Sequence, residues 1–518
     1  MRFLFPLFIV LSCLLTFLPG CEPKEELVQT EGNLELKADT VLFDTVFTTI
    51  RTVTKRLWVY NRNRGAVKTD ISLAGTAGPT YSLVINGDAG PSASGVTVRG
   101  NDSLLVLVRA VLGDNGTSVA PKQFLVTDKV LFRTNGNELT AHVVAYGQNA
   151  YFHRADIIRR DETWRTDKPH VIINANYVPA PGQRAIQLGV AVLQGVTLRI
   201  PKGARIYLHA GAYLQVDGTL LVGQDFDPGF RATDTVKANN PNIVRFQGDR
   251  LEPFYNEVPG QWGGIVFTKT SRGNRIRYAE IKNATFGALL LNPDYSANPR
   301  PDLTLDNTTI RNISGANLSF ANATASSGGG IISYSGDVTA TNCLFTNCGE
   351  YAVLGVGGGE YNFNFCTFAN YTPSFRRETS SLTFTNEQVA VPNTKRPLTL
   401  RLYNSILWSS FENELFVKNY TDANYVVDIK NTLLRTREYA TTPAVAGNTN
   451  VNLVNVDPLF NSTALTSSRP DYRLKPASPA TAPRRTQATS PALSPVARDL
   501  QNLPRNPQPS LGAYEHKF

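Results

Sequence analysis

The chain has 518 residues, 42% of them hydrophobic and 18% charged, with 51 Lys and Arg against 42 Asp and Glu for a formal net charge of +9. That apolar content and length exclude a disordered chain or a disulfide-stapled miniature, and suit two or three domains. The basic pairs Arg159-Arg160, Arg376-Arg377, Lys395-Arg396 and Arg484-Arg485 are scattered, which argues against a nucleic-acid groove. A diffuse positive field suits acidic glycans or lipid head groups, and equally a solvated surface with no partner.

At the amino end, residues 3–19 are almost wholly apolar behind one basic residue, Arg2, and Leu18-Pro19-Gly20-Cys21 closes the run. The run is at the short edge of what spans about 30 Å of hydrocarbon and contains Pro6. It resembles a bacterial lipoprotein signal peptide (1–20), in which the thiol of Cys21 carries the lipid; Pro19 departs from the small residue usual there. The resemblance implies lipid anchoring outside the cytosol, at the outer membrane or cell surface. The tract Glu22-Pro23-Lys24-Glu25-Glu26 opens a tether (21–32) and resembles the export tag of Bacteroidota surface lipoproteins.

From 33 to 152, short alternating runs such as RLWVYNR, YSLVING, SLLVLVRAV and ELTAHVVAYG, separated by Asn-Gly and similar turns, predict an antiparallel β-sandwich. The order of signals, with Val59-Tyr60-Asn61, Asn101-Asp102-Ser103 and Ala145-Tyr146-Gly147, resembles the immunoglobulin-like family of major sperm protein and ASH domains. Such domains bind or space. The charged stretch 153–169 reads as a linker.

The rest of the chain repeats itself. DNTTI at 306–310, TNCLF at 341–345, YNSIL at 403–407 and KNTLL at 430–434 each follow an alternating strand, with NFCTF at 364–368 as a looser copy. An Asn thus closes a strand and a large apolar residue follows three positions later, as in a solenoid of stacked coils. Tyr278 and Phe365 replace the Asn in two coils and should break any amide ladder there. With GQWGGIVF at 260–267 and NRIRYAEIKNA at 274–284, residues 170–460 resemble the pectin-lyase-like right-handed parallel β-helix family. The fold class expected is therefore all-β: an immunoglobulin-like sandwich, then a β-helix, then an irregular C-terminal cap over 461–518 that resembles the segment closing the open end of such helices.

Cys343 and Cys366 share one slot of the repeat, 23 residues apart, and coils stacked about 4.8 Å apart permit either a disulfide or a pair of thiols. No CxxC or Cys/His grouping suggests zinc. Hydrolases need facing carboxylates. The outward row Arg277, Asp306, Thr341, Asn364, Tyr403 and Lys430 offers one. Lyases of this fold neutralise a uronate, often through calcium, and remove a proton with a basic side chain. The catalytic candidates for that chemistry are Lys269, Arg272, Arg275 and Arg277 with Glu280, set against plain solubilising charge. Asp225 and Asp227 are the calcium candidates, set against turn capping. No cofactor is otherwise expected. Function divides three ways: non-catalytic glycan binding or adhesion along the solenoid flank, a polysaccharide lyase acting on acidic glycans, and an envelope scaffold.

Overall fold

The computed structural model describes residues 27–48, 50, 52–113, 124–223, 240–315, 317–318, 326–373, 377–388, 394–418, 424–446, 452–481 and 496–517. Cys21 and the leader, and Asp225 and Asp227, lie outside the described residues. The chain divides into two compact units, one closing at Gln148 and the other running on from Asn149.

The first unit is a sandwich of two five-stranded sheets. One holds Leu34–Leu36, Lys55–Asn61, Ser103–Ala110, Tyr81–Ile85 and Asp88–Gly90; the other holds Thr40–Phe47, Asn137–Gln148, Phe124–Thr134, Val67–Leu73 and Ser92–Val98. Period-two alternation drives it: Leu57 and Val59 on one strand, and Val106 and Val108 on its neighbour, are buried while the residues between them are not. Asn61 is buried because its amide is fully used, donating to the carbonyls of Gly65, Val98 and Arg99. The sandwich begins inside the expected tether, where Val28 bridges Ala66.

The second unit is a right-handed parallel β-helix in which each turn visits three sheets in the same order. Sheet A has nine strands, from Asp156–Ile158 to Leu415–Val417; sheet B has nine, from Glu162–Thr163 to Tyr425–Lys430; sheet C has eleven, from Tyr151–Arg154 to Leu453–Val454. Like residues stack from coil to coil. On sheet B the columns Leu303, Val338, Tyr361, Leu400 and Leu305, Ala340, Phe363, Leu402 are in register and buried. Each large side chain so buried contributes roughly 1.5–3 kcal/mol.

The repeated Asn sits at the corner between sheets B and C. Asn307, Asn342, Asn404 and Asn431 have φ of 46–54°, the left-handed conformation that Asn tolerates best among residues with a Cβ. Tyr278 and Phe365 take the same corner with φ of 45° and 52°. The Asn342 amide reaches Asn307 Oδ1 at 3.4 Å, whereas Asn404, next to Phe365, turns to Asn364 Oδ1 at 2.9 Å. The next residue points inward, and its polar hydrogen returns to the carbonyl two positions back: Thr308 to Asp306, Ser405 to Tyr403, Thr432 to Lys430. Cys343 and Cys366 do the same with Thr341 and Asn364. The disulfide considered between them is thus absent; both are free, buried thiols acting as hydroxyl substitutes. A second corner ladder, Asn283, Asn312 and Asn347, joins sheets C and A.

Three expected boundaries shift. Residues 153–169 are not a linker, because Asp156–Ile158 and Glu162–Thr163 pair with the next coil and Trp164 is buried in the interior. The open end of the solenoid is closed by Tyr439 and the short helix Pro443–Ala446, whose Val445 joins the same interior. The described part of the last segment, residues 460–481 and 496–517, lies instead along the outer face of sheet C as a strap, burying Phe460, Tyr472, Leu474, Leu500 and Leu511 on Leu344, Ile406 and Leu433.

Candidate functional site

The strap lies where it does because the outer face of sheet C changes character along its length. One outward row, in register, reads Arg205, Arg245, Glu280, Thr309, Leu344, Thr367, Ile406, Leu433. Its later half is apolar except for Thr367 and the strap covers it; its earlier half carries Arg205, Arg245 and Glu280, of which the two arginines stay partly exposed. The parallel row passes through Lys282, Arg311, Thr346 and Ala369. Tyr472 of the strap bonds Thr346 at 2.9 Å, and this contact marks the boundary between covered and open sheet.

At that boundary lies a cavity of about 570 Å³, walled by Arg245, Glu280 and Arg311 on the sheet, Glu257 from the preceding loop, and Arg469, Asp471 and Arg473 from the strap. Strand alternation aims Arg245, Glu280, Lys282 and Arg311 outward together. Glu280 Oε2 lies 3.2 Å from Arg245 Nε and Oε1 lies 2.7 Å from Arg311 Nε, while Arg311 also meets Glu257. The loop carrying Glu257 is fixed by Gln261, whose amide donates to the carbonyls of Tyr255 and Val258. It presents Phe254 with 76% of its surface exposed.

Burial alone would raise the Glu280 carboxyl, but Arg311 and Lys282 outweigh it and hold the group below the ordinary carboxylate value. Burial, and then Arg311, hold the Lys282 amine below its usual value, with Glu280 opposing. The face carries six cations, Arg205, Arg245, Lys282, Arg311, Arg469 and Arg473, against the carboxylates Glu257, Glu280 and Asp471, an excess of three. Arg473 is taken by Asp471 at 2.6 Å. Among the described residues no carboxylate pairs with Arg205 or Arg469. Chemically, the arrangement offers fixed guanidinium groups and an exposed ring to an extended anionic ligand.

The structure divides the residues singled out in the sequence. Arg275 and Arg277 come together on sheet B and share Asp306 Oδ2, at 3.0 Å and 3.1 Å. Lys269 pairs with Asp294 at 2.5 Å and Arg272 donates to Asn298 at 3.0 Å. Glu280 is not with them: the corner at Tyr278 turns the chain from sheet B to sheet C, so Glu280 faces Arg245 and Arg311 instead. The stacked row Arg277, Asp306, Thr341, Asn364, Tyr403 and Lys430 is in register, with its one carboxylate spent on the two arginines. Sequence reasoning missed Arg245, Lys282 and Arg311. The signal for Lys282 and Arg311 was a basic residue just before the second corner, Lys282-Asn283 and Arg311-Asn312, which only a second repeating slot reveals; Arg245 carries no such mark. Among the described residues, no group of three or more His, Cys, Asp or Glu is placed to hold a metal ion.

No known protein family matches the chain, and no curated protein does. Among solved structures it is similar to the catalytic domain of a GH87 α-1,3-glucanase in complex with nigerose, at 8% identity over 73% of this chain and 91% of that one, with a TM-score of 0.17. It is also similar to the ASH/PapD-like domain 7 of human CEP192, at 12% identity over 24% of this chain and 91% of that one, TM-score 0.16. A third is a family 123 glycoside hydrolase from Clostridium perfringens, at 8% identity over 26% of this chain, TM-score 0.17. This chain spans 30% of the length of that hydrolase. Likenesses so distant say nothing of the activity of this chain.

Proposed function

We propose that this is an exported envelope protein, lipid-anchored through Cys21, that binds an acidic polysaccharide on the open, charged part of sheet C without cleaving it. The carrying observation is the cationic excess there: guanidinium and amine groups on consecutive coils, repeating about every 4.8 Å, beside the cavity of about 570 Å³. A polymer with a carboxylate on each unit matches a row of fixed cations, while the exposed Phe254 supplies an apolar face for a sugar ring.

The test is binding of the purified full chain to polygalacturonate, alginate and hyaluronate, with dextran as the neutral control. Retention on at least one polyanion, weakened by salt, is expected. Replacing both Arg205 and Arg469 with Ala should weaken it by about tenfold, since among the described residues those guanidinium groups are not committed to carboxylates. Absence of retention on every polyanion at low salt would refute the reading.

One observation favours a second reading, a polysaccharide lyase. The lowered proton affinity of Lys282, flanked by Arg311 and Arg245, is what a general base beside a neutralised uronate requires. In β-elimination the amine takes the proton next to the carboxylate, a carbon–carbon double bond forms, and the glycosidic oxygen leaves and is protonated. Growth of ultraviolet absorbance from the unsaturated product, lost in Lys282→Met, would favour this reading over simple binding.

A further inference from the structure

A second cavity, of about 720 Å³, opens beyond the strap on the same sheet and shares no lining residue with the first. Its floor continues the row that runs through Arg311, Thr346 and Ala369. The backbone N–H groups of Trp408, Arg435 and Asn455 donate in turn to Phe368, Leu407 and Leu434, which places the three side chains on successive coils. Leu465, 58% exposed at the tip of the strap hairpin, adds an apolar wall.

This cavity is held in shape from beneath. Arg377 and Glu414 form a fully buried ion pair at 2.8 Å, and Glu414 also accepts from the Phe411 N–H and from the hydroxyls of Ser381 and Ser409. That pair fixes the loop from Trp408 to Glu414. Arg435 donates to Ser409 O at 2.6 Å and lies 5.2 Å over the Trp408 ring, and Asn413 ties the backbone of Arg437 and Glu438 to the same loop.

What remains for a ligand is the part of the Trp408 ring left open to the cavity, and unspent acceptors. Trp408 is only partly buried. Glu412 is more than half exposed and meets Arg437 at a loose 3.6 Å, while Asp457 commits one oxygen to the Leu459 N–H. Ser410 lines the same space. Two cations, Arg435 and Arg437, balance two carboxylates, Glu412 and Asp457, so the lining is formally neutral. A polyanion has no reason to prefer it. Carboxylate oxygens call for hydroxyl donors, and an aromatic ring calls for the apolar face of a pyranose.

We infer that the Trp408 cavity is a second carbohydrate site, distinct from the charged face, that takes a neutral oligosaccharide: a sugar ring packs on Trp408, and Glu412 and Asp457 accept its hydroxyls. The inference does not depend on the acidic-glycan reading. The two sites differ in ligand charge and are separated by the strap.

The test titrates the purified full chain with cellohexaose, mannohexaose and laminarihexaose by calorimetry. At least one should bind, with little salt dependence. Trp408→Ala should weaken binding about tenfold or more, and Trp408→Phe less. Because Trp408 also packs on its surroundings, the pair Glu412→Gln with Asp457→Asn gives an independent reading; both side chains are exposed, and their loss should weaken binding about fivefold or more. The Arg205→Ala, Arg469→Ala variant should bind the neutral sugar unchanged even where it loses a polyanion. The inference is overturned if none of the three hexasaccharides binds, if binding survives the carboxylate pair, or if a polyanion displaces the sugar.

Discussion

Replacing Arg505 with Met should release the strap while leaving the coils beneath it intact. The guanidinium is buried, donates to Asn342 Oδ1 at 2.7 Å and Gly512 O at 3.0 Å, lies 3.4 Å from Glu515 and sits 4.0 Å above the Phe365 ring. Met keeps much of the apolar stem and removes every one of those bonds. Stranding buried acceptors costs about 1–3 kcal/mol each, and removing one partner of a buried ion pair costs about 3–5 kcal/mol. These do not add, because Glu515 keeps the N–H and hydroxyl of Ser510. Part is also recovered, since burial already pulls Arg505 down to about 10, so its charge is held at a cost. The expected net loss is about 3 kcal/mol. The assay is amide hydrogen exchange, which resolves segments of a solenoid that need not open together. Leu511, Gly512 and Ala513, whose N–H groups bond Ala480, Asn404 and Thr367, should exchange about a hundredfold faster while the strand Leu400 to Tyr403 is unchanged. A change under about 1 kcal/mol, the worth of an exposed pair, would refute the claim that this arginine pins the strap.

Gly512→Ala should act in the same direction, because φ there is +82° and an added Cβ would lie 2.5 Å from Thr367 Oγ1; exchange in the same amides reports it. Acid should weaken the first coil. Burial lowers His170 to about 4, and it donates to Arg165 O while His153, itself paired with Asp156, donates to it; Asp167 is the other charge close by. With the folded value below the unfolded one, the unfolded chain takes the proton first as pH falls. Stability is therefore complete above about 6.5 and lost toward pH 4 by about 3 kcal/mol, and His170→Gln should flatten that slope in denaturation measured across this range. The thiols of Cys343 and Cys348 are raised by burial, so an alkylating reagent should leave both untouched until the coils unfold; rapid labelling in native buffer would contradict their inward placement. Asn404→Ala at φ 50° should cost about 1 kcal/mol and Asn404→Gly less, measured by thermal unfolding.

The coil architecture was legible because a left-handed corner tolerates few residues, so Asn recurs at 307, 342, 404 and 431 and marks where sheet B gives way to sheet C. The outward row before that corner could be written down in the correct register for the same reason. The strap was not legible. Nothing local in the sequence VDPLF at 456–460 or LGAYE at 511–515 says which of three outer faces the strap will cover; that follows from Leu344, Ile406 and Leu433 lying in one column, a fact of register across coils of unequal length. The cationic face failed for a related reason. Arg275, Arg277 and Glu280 are close in sequence, but Tyr278 turns the chain between them, so sequence neighbours separate while Arg245, Glu280 and Arg311, spread over 67 positions, converge.

The returning strap also sets an order of events. Asn307 donates to the carbonyl of Asp499, 192 residues later, and Asn342 to that of Arg498. Coils can form one after another as the chain leaves the ribosome, but Leu344, Ile406 and Leu433 stay wet until Phe460, Tyr472, Leu500 and Leu511, which cover them, have emerged. A chain cut before Leu500 would hold a stacked solenoid with part of that flank bare, recognisable to a chaperone or protease. The strap thereby ties the exposure of that flank to how far synthesis has run.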